Sequence, residues 1–265
     1  KSMTDDNEID LDDSSCDYED EGKHSTYAAV ATDRNTFISA IDVNSPHLLF
    51  LGTGCATPSP QRGSSGIGLF MPTSIYRSET STYQDALVLS AIIECGEGTM
   101  SSFSKHIESL SCHPSSLEEH LSYVNFIWIS HAHLDHYGDV SNVVQAVAKA
   151  KRKAQNTRPV ILIAPAKVLK YLRVLLLKPS AQKIEDRQYI GITHREFQTS
   201  PFVGHVRSMV YDHTLMTPRY SSHPKNYGTQ ATKLYKPFAS IQNVEVEHCR
   251  EAYGLLLQMY IPMKG

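Results

Sequence analysis

Four side chains able to bind a metal ion fall within six residues: His131, His133, Asp135 and His136, in the stretch Val124 to Asp139, VNFIWISHAHLDHYGD. The apolar and β-branched run Val124 to Ile129 reads as a buried strand that ends at Ser130 and delivers them into a tight turn. Imidazole and carboxylate are ligand types that zinc accepts, and the spacing differs from the i, i+4 histidine pair of a helical zinc site. His131 and His133 point to one side of an extended segment, whereas Asp135 and His136 begin the next turn and face a different point. Two adjacent metal ions follow from that geometry. A lone histidine would fit a satisfied core or surface residue, but three with an aspartate directly after a buried strand do not.

The elements that must hold this turn belong to a chain of 265 residues, 41% hydrophobic, enough for one substantial core or two small ones. No apolar run reaches membrane-spanning length, and the chain opens on charged residues instead of an apolar signal. The five cysteines, odd in number and without paired spacing, favour a reducing compartment. The net charge of -3 hides an asymmetry: residues 1 to 21 hold ten acidic groups and Lys1, which leaves 24 basic against 18 acidic groups elsewhere. Residues 1 to 26 read as a disordered acidic tail or interdomain linker, and 27 to 265 as one partial domain.

Within that domain, His47 to Leu51 reads as a short strand, broken at Gly52 and Gly54 where backbone can approach a ligand closely. Pro58 and Pro60 stiffen the loop, Arg62 adds a fixed charge, and Ile67 to Phe70 resumes a strand. Met71 to Gln84, rich in Ser, Thr and Tyr, reads as a loop. A strand from Asp85 breaks at Cys95-Gly96, and Thr99 to Leu110 has helical spacing. After the histidine turn, Tyr137 to Lys153 reads as a helix with Val140, Val143, Val144 and Val147 inward. Its basic end, Lys149 to Lys153, suits either a phosphate or the helix dipole alone. The strand in RPVILIAP and a helix from Ala166 to Leu177 complete the β-α-β-α alternation of a layered α/β protein. Arg187 to Thr193 suggests a further strand. The segment from His213 to Pro237 is polar and turn-rich; Tyr220, Tyr227 or Tyr235 could stack on bases, but His213 and His223 lack ligand spacing. Val244 and Val246 mark a half-buried strand with His248 at its end, and Ala252 to Ile261 the next strand.

The HxHxDH pattern resembles the signature of the metallo-β-lactamase superfamily, and three further motifs resemble tRNase Z, the catalytic half of its long form. These are the strand and loop LGTGxxxP from Leu51 to Pro58, the ECGEGT turn from Glu94 to Thr99, and HCREAYG from His248 to Gly254. The resemblance implies an α/β metallo-β-lactamase sandwich. It implies two zinc ions, with His131, His133 and His248 on one, Asp135 and His136 on the other, and Asp135 as general base. It gives Glu94 a supporting role behind the ligands, and Thr53, Gly54 and Arg62 a role in substrate binding. Pro60 stands where the family's PxKxR motif has lysine, and Glu94 where its first motif has aspartate. The family's later motifs, with a bridging aspartate and a last histidine ligand, do not occur before Gly265, so the chain reads as a piece of a longer protein. The implied activity is zinc-dependent removal of the 3′ trailer from precursor tRNA, in the nucleus or mitochondrion. Another half or subunit would supply the arm that grips tRNA, and no membrane partner is expected. Two other readings stay open: another hydrolase of this fold acting on phosphodiesters, esters or thioesters, and a non-catalytic tRNA-binding fragment.

Overall fold

The computed structural model describes residues 43–54, 63–77, 82–107, 116–156, 158–176, 189–201, 204–211 and 238–259. The acidic stretch, the segment Pro58 to Arg62, and Tyr220, Tyr227, Tyr235, His213 and His223 lie outside them.

Six strands pair in chain order: β1 (His47–Gly52), β2 (Gly66–Arg77), β3 (Thr82–Cys95), β4 (Phe126–Trp128), β5 (Val160–Ile163) and β6 (Tyr189–Ile192). The first three form an antiparallel meander, and β3 to β6 run parallel. Parallel neighbours cannot be joined by a tight turn, so each junction carries helices. Between β3 and β4 lie α1 (Thr99–Ile107) and α2 (Leu117–Ser122), and between β4 and β5 lie α3 (Leu134–Tyr137) and α4 (Val140–Lys153). Helix α5 (Ala166–Leu176) links β5 to β6, and α6 (His194–Thr199) and α7 (Gly204–Tyr211) follow. A separate antiparallel pair, β7 (Phe238–Glu245) and β8 (Tyr253–Met259), ends the described chain. Among the described residues, no helix is long and apolar enough to cross a membrane.

Side chains alternate along a strand, so each central strand feeds two cores. Ile127 and Ile129 join Val160 and Leu162 beneath Val143, Val144 and Val147 of α4, Phe103 of α1 and Leu172 of α5. Phe126 and Trp128 join Ile161 and Ile163 beneath Phe197, Val210 and the β7 residues Phe238 and Ile241. Strand β4 is thus buried on both faces, which is why its sequence is an unbroken apolar run. Helices cover one face of the main sheet, and the second sheet with α6 and α7 covers the other, as the layered α/β reading requires.

Several local expectations change. Of the expected loop from Met71 to Gln84, residues 71–77 and 82–84 are strand instead, in register from Met71↔Val88 to Arg77↔Thr82, and 78–81 lie outside the described residues. Thr and Tyr are strand formers, so a polar run of them is compatible with paired strand backbone. The helix expected from Tyr137 divides into α3 and α4 at Gly138 and Asp139. Strand β7 begins earlier, at Phe238, and turns Ile241 and Asn243 inward, leaving Val244 and Val246 47% and 43% exposed. Helix α6 was not foreseen, although Thr193 and Glu196 form the reciprocal capping box that marks its start. At the basic end of α4, Lys151 is buried and Lys153 pairs with Glu118, while Lys149 and Arg152 are exposed.

One buried polar pair fastens the second sheet to the first. Trp128 Nε1 donates to Asn243 Oδ1 at 2.9 Å, and Asn243 Nδ2 donates to the His194 carbonyl at 3.1 Å. Replacing Asn243 by Leu strands a buried indole N–H and a buried carbonyl. We expect Asn243→Leu to cost about 2 kcal/mol, read as a lower urea midpoint at unchanged slope.

Candidate metal centre

The parallel register ends where the candidate ligands begin. Ile129 N donates to the Ile163 carbonyl at 2.9 Å, the last backbone bond that holds this segment to β5. Ser130 N then donates to both carboxylate oxygens of Glu94, each at 3.2 Å. Ser130 Oγ lies 2.7 Å from His131 Nδ1, so Nε2 is the nitrogen left to face the cluster, and it sits 3.0 Å from His133 Nδ1. Tyr253 N donates to the Ser130 carbonyl at 3.1 Å, and this bond draws the β7–β8 turn onto the histidine loop. The ring of His248 is consequently 4.7 Å from that of His131 and 5.1 Å from that of His133.

One ligand atom from each of His131, His133, His248 and Cys249 lies within 4.8 Å of the others, and this group could hold a metal ion. Cys249 was not among the expected ligands. Its only sequence signal is adjacency to His248, and adjacent side chains in a strand face opposite ways. Here both fall in a turn, closed by Val246 N to the Ala252 carbonyl at 3.1 Å and Ala252 N to the Cys249 carbonyl at 3.2 Å.

Asp135 and His136 sit beside this group on α3. The His136 ring centroid is 4.1 Å from that of His131. Its Nε2 lies 3.5 Å from Asp135 Oδ2 and its Nδ1 lies 3.4 Å from Glu94 Oε2, ion-pair separations longer than a good hydrogen bond. Glu94 is buried and has φ of 62°, a left-handed conformation that costs a non-glycine residue about 1 kcal/mol. That backbone turns its carboxylate toward both Ser130 and His136.

The histidines differ in proton affinity. Burial pushes His131 down to about 4, assisted by the neighbouring His136, His133 and His248 and opposed by Asp135. It is neutral at pH 7, with no proton to displace before a metal binds. Burial also works against protonation of His136, but the carboxylates of Glu94 and Asp135 outweigh it and raise its pKa.

Two residues brace the loop from behind. Gly96 makes the closest approach: a Cβ placed there would meet the Asp135 carbonyl oxygen at 2.0 Å and Ser64 Cβ at 2.5 Å. Asp139 was not foreseen as part of the frame. Its carboxylate accepts from Met100 N at the start of α1 (2.9 Å) and from Asn142 Nδ2 (2.7 Å), while its own N–H donates to the Cys95 carbonyl at 2.8 Å. Thr53 is exposed, and Gly54 N donates to the Gly63 carbonyl at 2.9 Å, which places both at the base of the β1–β2 loop. Arg62 lies outside the described residues.

No protein-family model matches the chain. It is similar to the mitochondrial ribonuclease Z of Drosophila melanogaster, 27% identical over 191 residues, which is 72% of this chain and 22% of that protein. It is also similar to ribonuclease Z 1 of Schizosaccharomyces pombe, 31% identical over 99 residues, 37% of this chain and 11% of that protein. The chain therefore spans less than a quarter of the curated relatives it matches. Among solved structures, a long-form RNase Z from yeast superposes with a TM-score of 0.50 at 16% identity, covering 81% of this chain and 27% of that one.

Because Gly96 has no room for a side chain, Gly96→Ala must push the Asp135 backbone away without altering any ligand. If the cluster holds a metal ion, its affinity for a divalent metal should fall at least about tenfold, measured by competition with a chromophoric chelator. A pH effect arises next to the site. His194 stacks on Tyr253 at 4.4 Å, and burial lowers its pKa to about 4, with the Ile129 backbone opposing the shift. Because the folded pKa lies below the unfolded one, the unfolded chain binds the extra proton between pH 6.5 and 4. Stability is then complete above about pH 6.5 and falls by up to about 3 kcal/mol as pH drops to 4. His136, whose pKa is raised, contributes in the opposite sense. Comparing urea midpoints of the parent and His194→Phe across this range should show a flatter profile in the variant.

Proposed function

We propose that this chain, which carries a ribonuclease Z-like metallo-β-lactamase fold, is the part of a zinc-dependent endoribonuclease that removes the 3′ trailer from precursor tRNA. The observation that carries the reading is the convergence of His131, His133 and His248, from two distant parts of the chain, beside the Asp135, His136 and Glu94 group. The donor set fits zinc: neutral imidazoles, a thiol and carboxylates are all groups that it accepts. His131, His133 and His248 would hold one ion, and Asp135 and His136 would contribute to a second. Bound there, the ions would supply an acidified water and offset charge on the phosphoryl oxygens.

The chain's own residues prepare that chemistry. Ser130 Oγ holds the His131 ring at Nδ1 so that Nε2 faces the cluster, and desolvation keeps the ring neutral. Glu94 orients His136 from its Nδ1 side, leaving Nε2 toward Asp135. Asp135 Oδ2 is the atom assigned to accept the proton of the attacking water. Thr53, Gly54 and Arg62, on the β1–β2 segment, are assigned to the substrate, and the acidic start of the chain to a linker. The designation of the Drosophila relative as mitochondrial favours the mitochondrion over the nucleus as the compartment.

The test is cleavage of a precursor tRNA with a 3′ trailer by the full-length protein that contains this chain. Asp135→Ala should reduce the rate by at least about a hundredfold, as loss of a general base does, and chelation should abolish cleavage until zinc is restored. Undiminished processing by Asp135→Ala would overturn the assignment. Hydrolysis of bis(p-nitrophenyl) phosphate without any cleavage of precursor tRNA would point to another hydrolase of the same fold.

A further inference from the structure

We infer that the outer face of α5 is a docking surface for the acidic segment of this same chain, residues 5–21. The inference goes beyond the proposed activity and stands independently of it.

The α5 sequence, AKVLKYLRVLL, carries three cations and no acid. Val168, Leu169 and Leu172 are buried, so the opposite side of the helix faces outward. Lys167, Lys170, Tyr171 and Val174 stand at i, i+3, i+4 and i+7 and share that side. Val174 is 77% exposed, Leu175 51% and Tyr171 38%, an apolar strip on a helix whose inner stripe already fills the core. Arg173 lies within electrostatic reach of Glu196. Among the described residues, Lys167 and Lys170 form no ion pair. Helix α4, which touches α5, adds the exposed Lys149 and Arg152 and likewise has no acid in its sequence.

Cations set around exposed aliphatic and aromatic groups fit a partner in which acid and apolar groups interleave, whereas a phosphate backbone alone would leave Val174 and Leu175 in water. Residues 5–21 have that composition. They hold ten acidic groups and no basic one, with Ile9 and Leu11 set between Glu8, Asp10 and Asp12, and Tyr18 between Asp17 and Glu19. Residues 22–46 join this segment to β1, and 25 residues can span up to about 80 Å. Strand β5, which leads into α5, is four places from β1 in the sheet, or about 19 Å at ordinary strand spacing. The face is therefore within reach. Membership of one molecule gives the segment an effective concentration on the order of millimolar, so that contacts weak one by one can persist together. Tyr171 also meets Tyr137, the neighbour of His136, edge to face at 5.5 Å. A segment seated on this face lies beside the candidate metal centre and competes with polyanions that approach it.

Zero-length carbodiimide crosslinking of the intact chain, read by peptide mass spectrometry on a mixture of light and heavy isotope-labelled protein, tests this. We expect links within one molecule from the carboxylates of residues 5–21 to Lys167 and Lys170. They should fall at least about tenfold at about 0.5 M salt, where screening acts within a few ångströms. Val174→Asp, which leaves both lysines in place at an exposed position, should cut them at least about fivefold by repelling the segment. Exchanging the charges, Asp10→Lys and Asp12→Lys together with Lys167→Glu and Lys170→Glu, should restore links between the same two regions. Links spread evenly over exposed lysines such as Lys105 on α1, or links indifferent to salt and to Val174→Asp, would overturn the inference. So would links only between light and heavy molecules, which would assign the face to a second copy. Protection of Lys167 and Lys170 from amine labelling by an RNA oligonucleotide, with no links from the segment, would overturn it in favour of nucleic acid.

Discussion

The backbone bond from Tyr253 N to the Ser130 carbonyl is the constraint on which the centre depends. Each histidine could be well placed within its own segment and still fail to meet the others, because His131 and His133 belong to the main sheet and His248 to the second. A hydrogen bond one residue before His131 sets the separation of those layers at the point where chemistry needs it. The Trp128–Asn243 bond, farther into the core, and the stacking of His194 on Tyr253 hold the same junction from below. Buried polar contacts of this kind add modest net stability and contribute more by excluding other registers.

Glu94 shows how the frame accommodates a departure in sequence. The resemblance expects aspartate there, and the longer side chain would overshoot if its backbone followed an ordinary strand. The left-handed backbone at Glu94 makes it the extra residue of a bulge between Ile67↔Ile93 and Gly66↔Cys95, and the carboxylate reaches Ser130 N and His136 together. One residue thus fixes the start of the ligand loop and the orientation of its last histidine. Asp139 performs the matching task at the loop's far end by joining α1, α4 and the end of β3.

Legibility in the sequence followed burial. Strand β4 and the inward face of α4 could be read because residues buried on both faces or along one stripe leave an apolar pattern that few other structures produce. The β2–β3 hairpin could not, since its outer half exchanges hydrophobic pattern for Thr, Ser and Tyr while keeping backbone pairing, and pairing leaves no mark on composition. On β7, Val244 faces outward and Asn243 inward, because Asn243 has polar partners waiting in another layer. Cys249 and Asp139 were invisible for the same reason: their value lies in what they meet across space. The histidine pattern itself was legible because its ligands sit on one short turn, while the approach of His248 became a geometric fact only in the folded structure.

The partners across that junction, such as Trp128 and Asn243, are 115 residues apart in sequence. Closing so long a loop is entropically slow, and contacts of this separation form late in folding. During synthesis the first histidines leave the ribosome well before the turn that completes their site exists, and domains assemble as the chain emerges. The half-built loop at Ser130 to His136 can offer a passing ion only the weak grip of neighbouring side chains. Firm capture of a metal ion by this group would therefore be deferred until the second sheet docks, and metal content would record whether folding had reached completion.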